Sequence, residues 1–196
     1  MRKLVIALSL FCFGCTSLSP ALKPVSKGEV STSKESINLF VKPVVTQGLG
    51  SEDEKLWKMD VSAYFTAFEV ALVNNTMKSL EFDPRQSYLL IEEDQRFAAL
   101  DQEASIKYYK LGDAATTFTL IPKSEKKVRE EIARIKAAGL QGGTVEPGQQ
   151  QRGLIYFRKL KQNHCENVVL NLEGIRVAET GEEKRFSFVF SCDIAG

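Results

Sequence analysis

The chain has 196 residues, 43% of them hydrophobic and 26% charged, which is enough to bury a core without help from disulfides or metals. Its 26 Lys and Arg nearly balance 25 Asp and Glu, and the two signs alternate along the chain. No basic stripe is left to release counterions from nucleic acid, and no acidic tail to solvate, so both classes of function are argued against.

Arg2 and Lys3 open the chain, residues 4–13 are apolar, and Gly14-Cys15 closes the run. The run is too short to cross a bilayer; a charged start, an apolar middle and a small residue before a cleavage point make residues 1–14 an export signal. Cys12-Phe13-Gly14-Cys15 resembles the lipobox of bacterial lipoproteins, in which a small residue precedes the cysteine that becomes the acylated N-terminus. The resemblance implies that Cys15 carries acyl chains, palmitate among them, and fastens the protein to a membrane. Each buried methylene adds about 0.8 kcal/mol, so two or three chains anchor permanently. Thr16 stands where an inner-membrane retention signal resembles Asp, which implies the outer membrane. Ser19-Pro20-Ala21 also satisfies the small-x-small rule, so a secreted form cut after Ala21, discarding Cys15, is the rival reading.

Residues 15–35 are rich in Ser, Thr, Pro and Lys and read as a flexible tether with an r.m.s. reach of about 25 Å, which sets the folded domain at residues 36–196. Residues 37–41 read as a strand, and Pro43, lacking an amide, marks it as an edge. Residues 61–73 alternate between two apolar faces, the pattern of a central strand that Asn74-Asn75-Thr76 ends. Asp83-Pro84-Arg85 is a turn, and residues 88–91 and 96–100 form a hairpin around residues 92–95. Residues 106–109 and 116–121 read as weaker strands broken at Gly112-Asp113.

A helix is predicted over residues 124–138: Ser124 caps it, Glu125 suits its first turn, Val128, Ile132 and Ile135 recur at helical spacing, and Gly139 stops it. Its narrow apolar stripe is expected to cover one open end of the fold. Arg129 and Arg134 on its remaining faces are the candidate contacts for a partner protein. Gly142-Gly143 and Pro147-Gly148 make a loop before the strand at residues 153–157, and residues 168–177 and 184–192 close the pattern. In the last strand Phe186, Phe188 and Phe190 point one way.

The long strand, the hairpin, the Val145-Glu146-Pro147-Gly148 entry into residues 153–157 and the Phe-rich end together resemble the immunoglobulin-like accessory domains of bacterial lipoproteins. The resemblance implies a mainly β fold, an immunoglobulin-like antiparallel β-sandwich with one inserted amphipathic helix, and transfers no binding site. Trp57 precedes the long strand and does not reproduce the Trp of antibody domains.

Cys12 and Cys15 lie in or next to the signal, which leaves Cys165 and Cys192. An oxidising compartment permits a bridge between them. A turn centred at Thr180-Gly181 would set Cys192 opposite Val169, about four residues from Cys165 and out of bridging reach, unless residues 163–166 fold back.

His164 is the only histidine, and neither Asn163 nor Cys165 gives it a metal-ligand spacing or a triad. Gly142-Gly143 lacks the Lys and Ser or Thr of a phosphate loop. Glu92-Glu93-Asp94 and Glu182-Glu183 lack the alternating ligands of a calcium loop. Asn74-Asn75-Thr76 matches a glycosylation acceptor. The expected function is a non-enzymatic, membrane-tethered module of the cell envelope with no cofactor or metal, acting on an envelope protein. The alternative is a carrier of a small apolar ligand in a cavity lined by Tyr64, Phe68, Phe186, Phe188 and Phe190.

Overall fold

The computed structural model describes residues 21–25, 31–45, 59–92, 95–116, 123–161 and 165–192. Cys15 with the signal, Trp57, His164 and the acidic pair Glu93-Asp94 lie outside them. Two antiparallel sheets face each other, the mainly β sandwich that the resemblance implies. One sheet holds β2 (Ser31–Lys34), β3 (Ile37–Pro43), β4 (Phe65–Asn74) and β9 (Gln150–Arg158), in that order. The other is built on β10 (Val168–Val177) and β11 (Glu183–Cys192), with β1 (Leu22–Pro24) on the outer side of β11. On the far side of β10, β5 (Leu80–Phe82) pairs one half and β6 (Tyr88–Ile91) the other. These are flanked in turn by β8 (Gly143–Val145) and β7 (Gln95–Ala98).

The core lies where the alternating faces meet. Phe186, Phe188 and Phe190 of β11 point inward with Leu170 and Leu172 of β10, against Phe68, Val70 and Leu72 of β4. Phe68 sits 5.0 Å from the Phe190 ring and meets Phe157 edge-on at 6.0 Å, geometry that adds about 1 kcal/mol per pair beyond area burial. Pro43 stands at an edge only locally: β2 pairs β3 from Ile37 to Phe40 and stops short of the residue that cannot donate.

The stretch expected to be a tether is partly folded. Leu22–Pro24 pairs with β11 in the register Leu22↔Cys192 and Pro24↔Phe190, and Ser31–Lys34 pairs with β3. Leu22, one of few apolar residues in a polar segment, is buried in the core, and that burial fixes β1. Two strands of the folded unit, Leu22–Pro24 and Ser31–Lys34, thus lie before residue 36.

The register defines two ends. Leu22, Cys192, Val168 and Ile91 share one, and Pro43 and Phe65 of the facing sheet close against Leu22 there. At the other end four turns cluster: the β2–β3 turn through Glu35 and Ser36, the turns after Asn74 and Val145, and the β10–β11 turn. Buried Lys184 ties this end together by pairing with Glu35 and, at 2.5 Å, with Glu182. Asn74 is fully buried; its amide donates to Lys78 O at 2.8 Å and Val145 O at 2.7 Å, and its carbonyl accepts from Thr76. The glycosylation motif is therefore a structural one, because Asn74 is buried and both of its amide hydrogens are engaged.

Helices are two rather than one. Residues 106–109, expected as a strand, lie in α1 (Gln102–Thr116), followed by α2 (Glu125–Ala138). Ser105 and Tyr109 are both wholly buried four residues apart, a helical spacing that the run Ile-Lys-Tyr-Tyr does not announce. Asp101 starts α1 by accepting from the Ala104 amide at 2.7 Å. Ser124 caps α2 through the Lys127 amide, as predicted.

The helices do not close an end of the sandwich. They cover the outer face of the β2-β3-β4-β9 sheet, where Phe65 and Ala67 of β4 and Leu154 and Tyr156 of β9 meet Tyr109 and Ile135. This explains why β4 is apolar on both faces: one faces the sandwich core, the other the helical layer. A polar clamp joins the layer to β4. Lys123 Nζ donates to Glu131 at 2.6 Å and to the Tyr64 hydroxyl, and Tyr109 Oη donates to Glu131. Burial opposes the Lys123 charge, but its hydrogen bonds to Glu131 and Tyr64 outweigh burial and hold the ammonium above the usual lysine range.

Cys165 and Cys192 are bridged, with Cα atoms 5.4 Å apart. The expected offset disappears because Val168 faces Phe190, which brings Cys192 opposite Glu166, and because the Cys192 amide donates to Cys165 O at 2.9 Å. The difference arises from a turn centred nearer Glu179 than Gly181 and from a bulge between Leu172 and Ile175. Gly174 forms that bulge at φ +77°, where a Cβ would come within 2.6 Å of Asp83 O.

Candidate binding cleft

A cleft of about 760 Å³ opens where the helical insertion leaves and rejoins the sandwich. β7 and β8 occupy the same edge of their sheet but do not meet. After β7 the chain turns to Leu100, whose amide donates to Tyr156 O at 2.8 Å; after α2 it returns at Leu140, whose amide donates to Leu154 O at 2.8 Å. Both bonds land on β9, so the gap between the two strands becomes a concave site floored by Leu154, Ile155 and Tyr156.

The return crossing depends on Gly153. A Cβ there would lie 2.7 Å from Leu140 Cα and 2.9 Å from its nitrogen. The backbones touch, and only glycine leaves room.

The rim is charged. A 3-10 turn at Pro84–Gln86 forms one wall. Asp83 caps it, accepting from the Arg85 amide at 3.1 Å, while the Arg85 guanidinium grips the same carboxylate with Nε at 2.8 Å and Nη2 at 3.0 Å. Hydrogen bonding to Arg85 outweighs desolvation and holds the Asp83 carboxyl below its ordinary range. Asp101 and Glu103 line the cleft at the start of α1, with Asp101 close enough to favour the Arg85 charge, and Glu81 lies opposite Arg176 in the β5–β10 ladder. On the floor, Tyr156 Oη reaches Ile135 O at 3.3 Å, and burial raises the phenol well above its ordinary value, so it stays protonated.

The residues singled out from sequence lie elsewhere. Arg129 is exposed on α2 and pairs with Glu125 at 3.4 Å, whereas Arg134 is half-buried and engaged, so the two do not form one exposed patch. The five aromatics proposed to line a carrier cavity are not in the cleft. Phe68, Phe186, Phe188 and Phe190 are packed in the sandwich core, and Tyr64 packs against Tyr109 at 4.9 Å. Conversely, Asp83-Pro84-Arg85 and Gly142-Gly143, whose sequences signal turns and nothing more, both line the cleft. The signal available in sequence was two turn clusters bracketing an insertion.

No protein-family model and no curated protein matches the chain. Three solved structures resemble it distantly. A Bacillus subtilis protein assigned as a lipoprotein, ycdA, aligns over 86% of this chain at 13% identity with a TM-score of 0.46; the match spans 40% of that protein's length. A protein of unknown function from Listeria monocytogenes aligns over 90% of each chain at 11% identity and a TM-score of 0.42. The yjhA protein of Bacillus subtilis aligns over 80% of this chain and 93% of its own at 13% identity, with a TM-score of 0.42.

Proposed function

We propose that this chain is a non-enzymatic accessory lipoprotein of the bacterial cell envelope, anchored to the outer membrane by acyl chains on Cys15, whose immunoglobulin-like sandwich binds an envelope protein at the cleft. The observation that carries the binding role is the state of the polar groups lining that cleft. Asp83 is gripped by Arg85, Asp101 caps α1, and Tyr156 is held protonated by burial. Asp83 and Tyr156, held in this way, shape a surface and are not poised to exchange protons near neutral pH. An apolar floor inside a charged rim is the anatomy of a recognition site.

The cleft volume also falls in the range of small-molecule sites, about 300–1,000 Å³, which favours a small ligand as the second reading. That ligand would rest on Leu154, Ile155 and Tyr156 rather than on the core phenylalanines.

Two measurements test the proposal. Mass spectrometry of the mature N-terminus should find acylated Cys15; a lipid-free start at Leu22 would remove the anchor. A photo-crosslinking residue at Glu103, on the rim, should give a discrete protein adduct in intact cells, lost when Thr144→Arg, at an exposed lining position, crowds the cleft. Adducts from Arg129 but none from Glu103 would move the contact to α2, and thermal stabilisation by a small apolar compound without any adduct would favour the carrier.

A further inference from the structure

Resting on the lipid anchor just proposed, we infer that the domain stands on the membrane with its disulfide-bridged end down, its cleft at mid-height and its four-turn end facing away. The inference comes from how few residues separate Cys15 from β1. β1 begins at Leu22 and pairs there with Cys192, beside the Cys165–Cys192 bridge. Seven peptide steps separate Cys15 from Leu22, and at about 3.3–3.6 Å each they span at most about 25 Å even when fully drawn out. A tether of the length first expected would let the domain turn over freely; this one cannot.

β10 and β11 run end to end for ten residues each, so the sandwich is about 33 Å tall. Standing the domain on its four-turn end would lift Leu22 about 33 Å from the lipid, beyond the reach of about 25 Å. Met77, 94% exposed in the turn after β4, therefore points away from the bilayer. The cleft lies level with the gap between β7 and β8, near the middle of β10, and so stays within about 40 Å of the headgroups.

The test uses the acylated full chain in phosphatidylethanolamine–phosphatidylglycerol vesicles carrying a headgroup acceptor dye. A donor is introduced by a non-natural residue either at Gln95, at the disulfide-bridged end, or at Met77. Transfer from Gln95 should exceed that from Met77 at least twofold, and a twenty-residue Gly-Ser insertion after Thr16 should erase the difference. Equal or reversed transfer in vesicle-bound, acylated protein overturns the orientation and leaves the anchor standing. An unacylated N-terminus overturns the anchor, and the orientation with it.

Discussion

Gly153 of β9 and Leu140, the first residue after the helical layer's stop, are in backbone contact: a methyl group on Gly153 would sit 2.7 Å from Leu140 Cα. Both partners are main chain, so neither can rotate aside. Gly153→Ala should destabilise the domain by about 1–3 kcal/mol, read as a lower urea midpoint with an unchanged slope. An unchanged midpoint would mean that the return crossing shifts at no cost.

The bridge between Cys165 and Cys192 closes a loop with a sequence separation of 27, for which chain entropy gives about 3–4 kcal/mol. Replacing both cysteines by Ser should lower stability by that order and make melting insensitive to dithiothreitol. A wild-type protein whose melting already ignores the reductant would contradict this.

Phe188 is 1% exposed at the centre of β11, and Phe188→Ala should cost about 3–5 kcal/mol through lost burial and the cavity left behind. The measurement is chemical denaturation, and a loss under 1 kcal/mol would count against the inward face of this strand.

Lys123 and Glu131 are mostly buried partners, with side chains 22% and 9% exposed. Glu131→Leu alone should destabilise by about 2–4 kcal/mol, because it leaves an ammonium without its counter-charge. Adding Lys123→Met should recover most of that loss, and a double-mutant cycle with purely additive costs would show that the pair does not couple.

Asp83 gives the acid limb a defined sign. Its carboxyl is held below the ordinary 3.8 by Arg85, so its contribution is present above that value and is lost as pH falls through the lower folded-state value. Asp83→Asn should therefore reduce stability at pH 7 and flatten the acid-induced decline, with the variant and wild type converging near pH 2. Parallel curves over pH 2 to 7 would show that Arg85 does not shift this group.

The legible parts of the fold were those set by one strand's own alternation. Phe186, Phe188 and Phe190 face inward, and the two apolar faces of residues 61–73 predict a strand buried on both sides, which forms over Phe65–Asn74. What covers the second face could not be read, because Ile106-Lys107-Tyr108-Tyr109 fits a strand's alternation as well as a helix's spacing. Only contact of Tyr109 with Glu131 and β4 decides between them. Leu22 was overlooked in a polar stretch because one apolar residue carries no period. The cleft was illegible for another reason: residues 83–85, 101–103, 139–143 and 154–156 contribute to it, and no local pattern links them.

The two crossings that frame the cleft also say how this architecture can be edited. Leu100 and Gly139 bridge β9 at Tyr156 and Leu154, two positions apart, so the excursion between them leaves and returns within about 7 Å. Strand order on either side would survive if that excursion were exchanged for a different cover or shortened to a tight loop. Solubility would not survive simple deletion, since Phe65, Ala67, Leu154 and Tyr156 would be uncovered on one sheet face. The sandwich thus behaves as a chassis with one interchangeable panel, and grafting a new panel would reshape the cleft without rewiring a single strand.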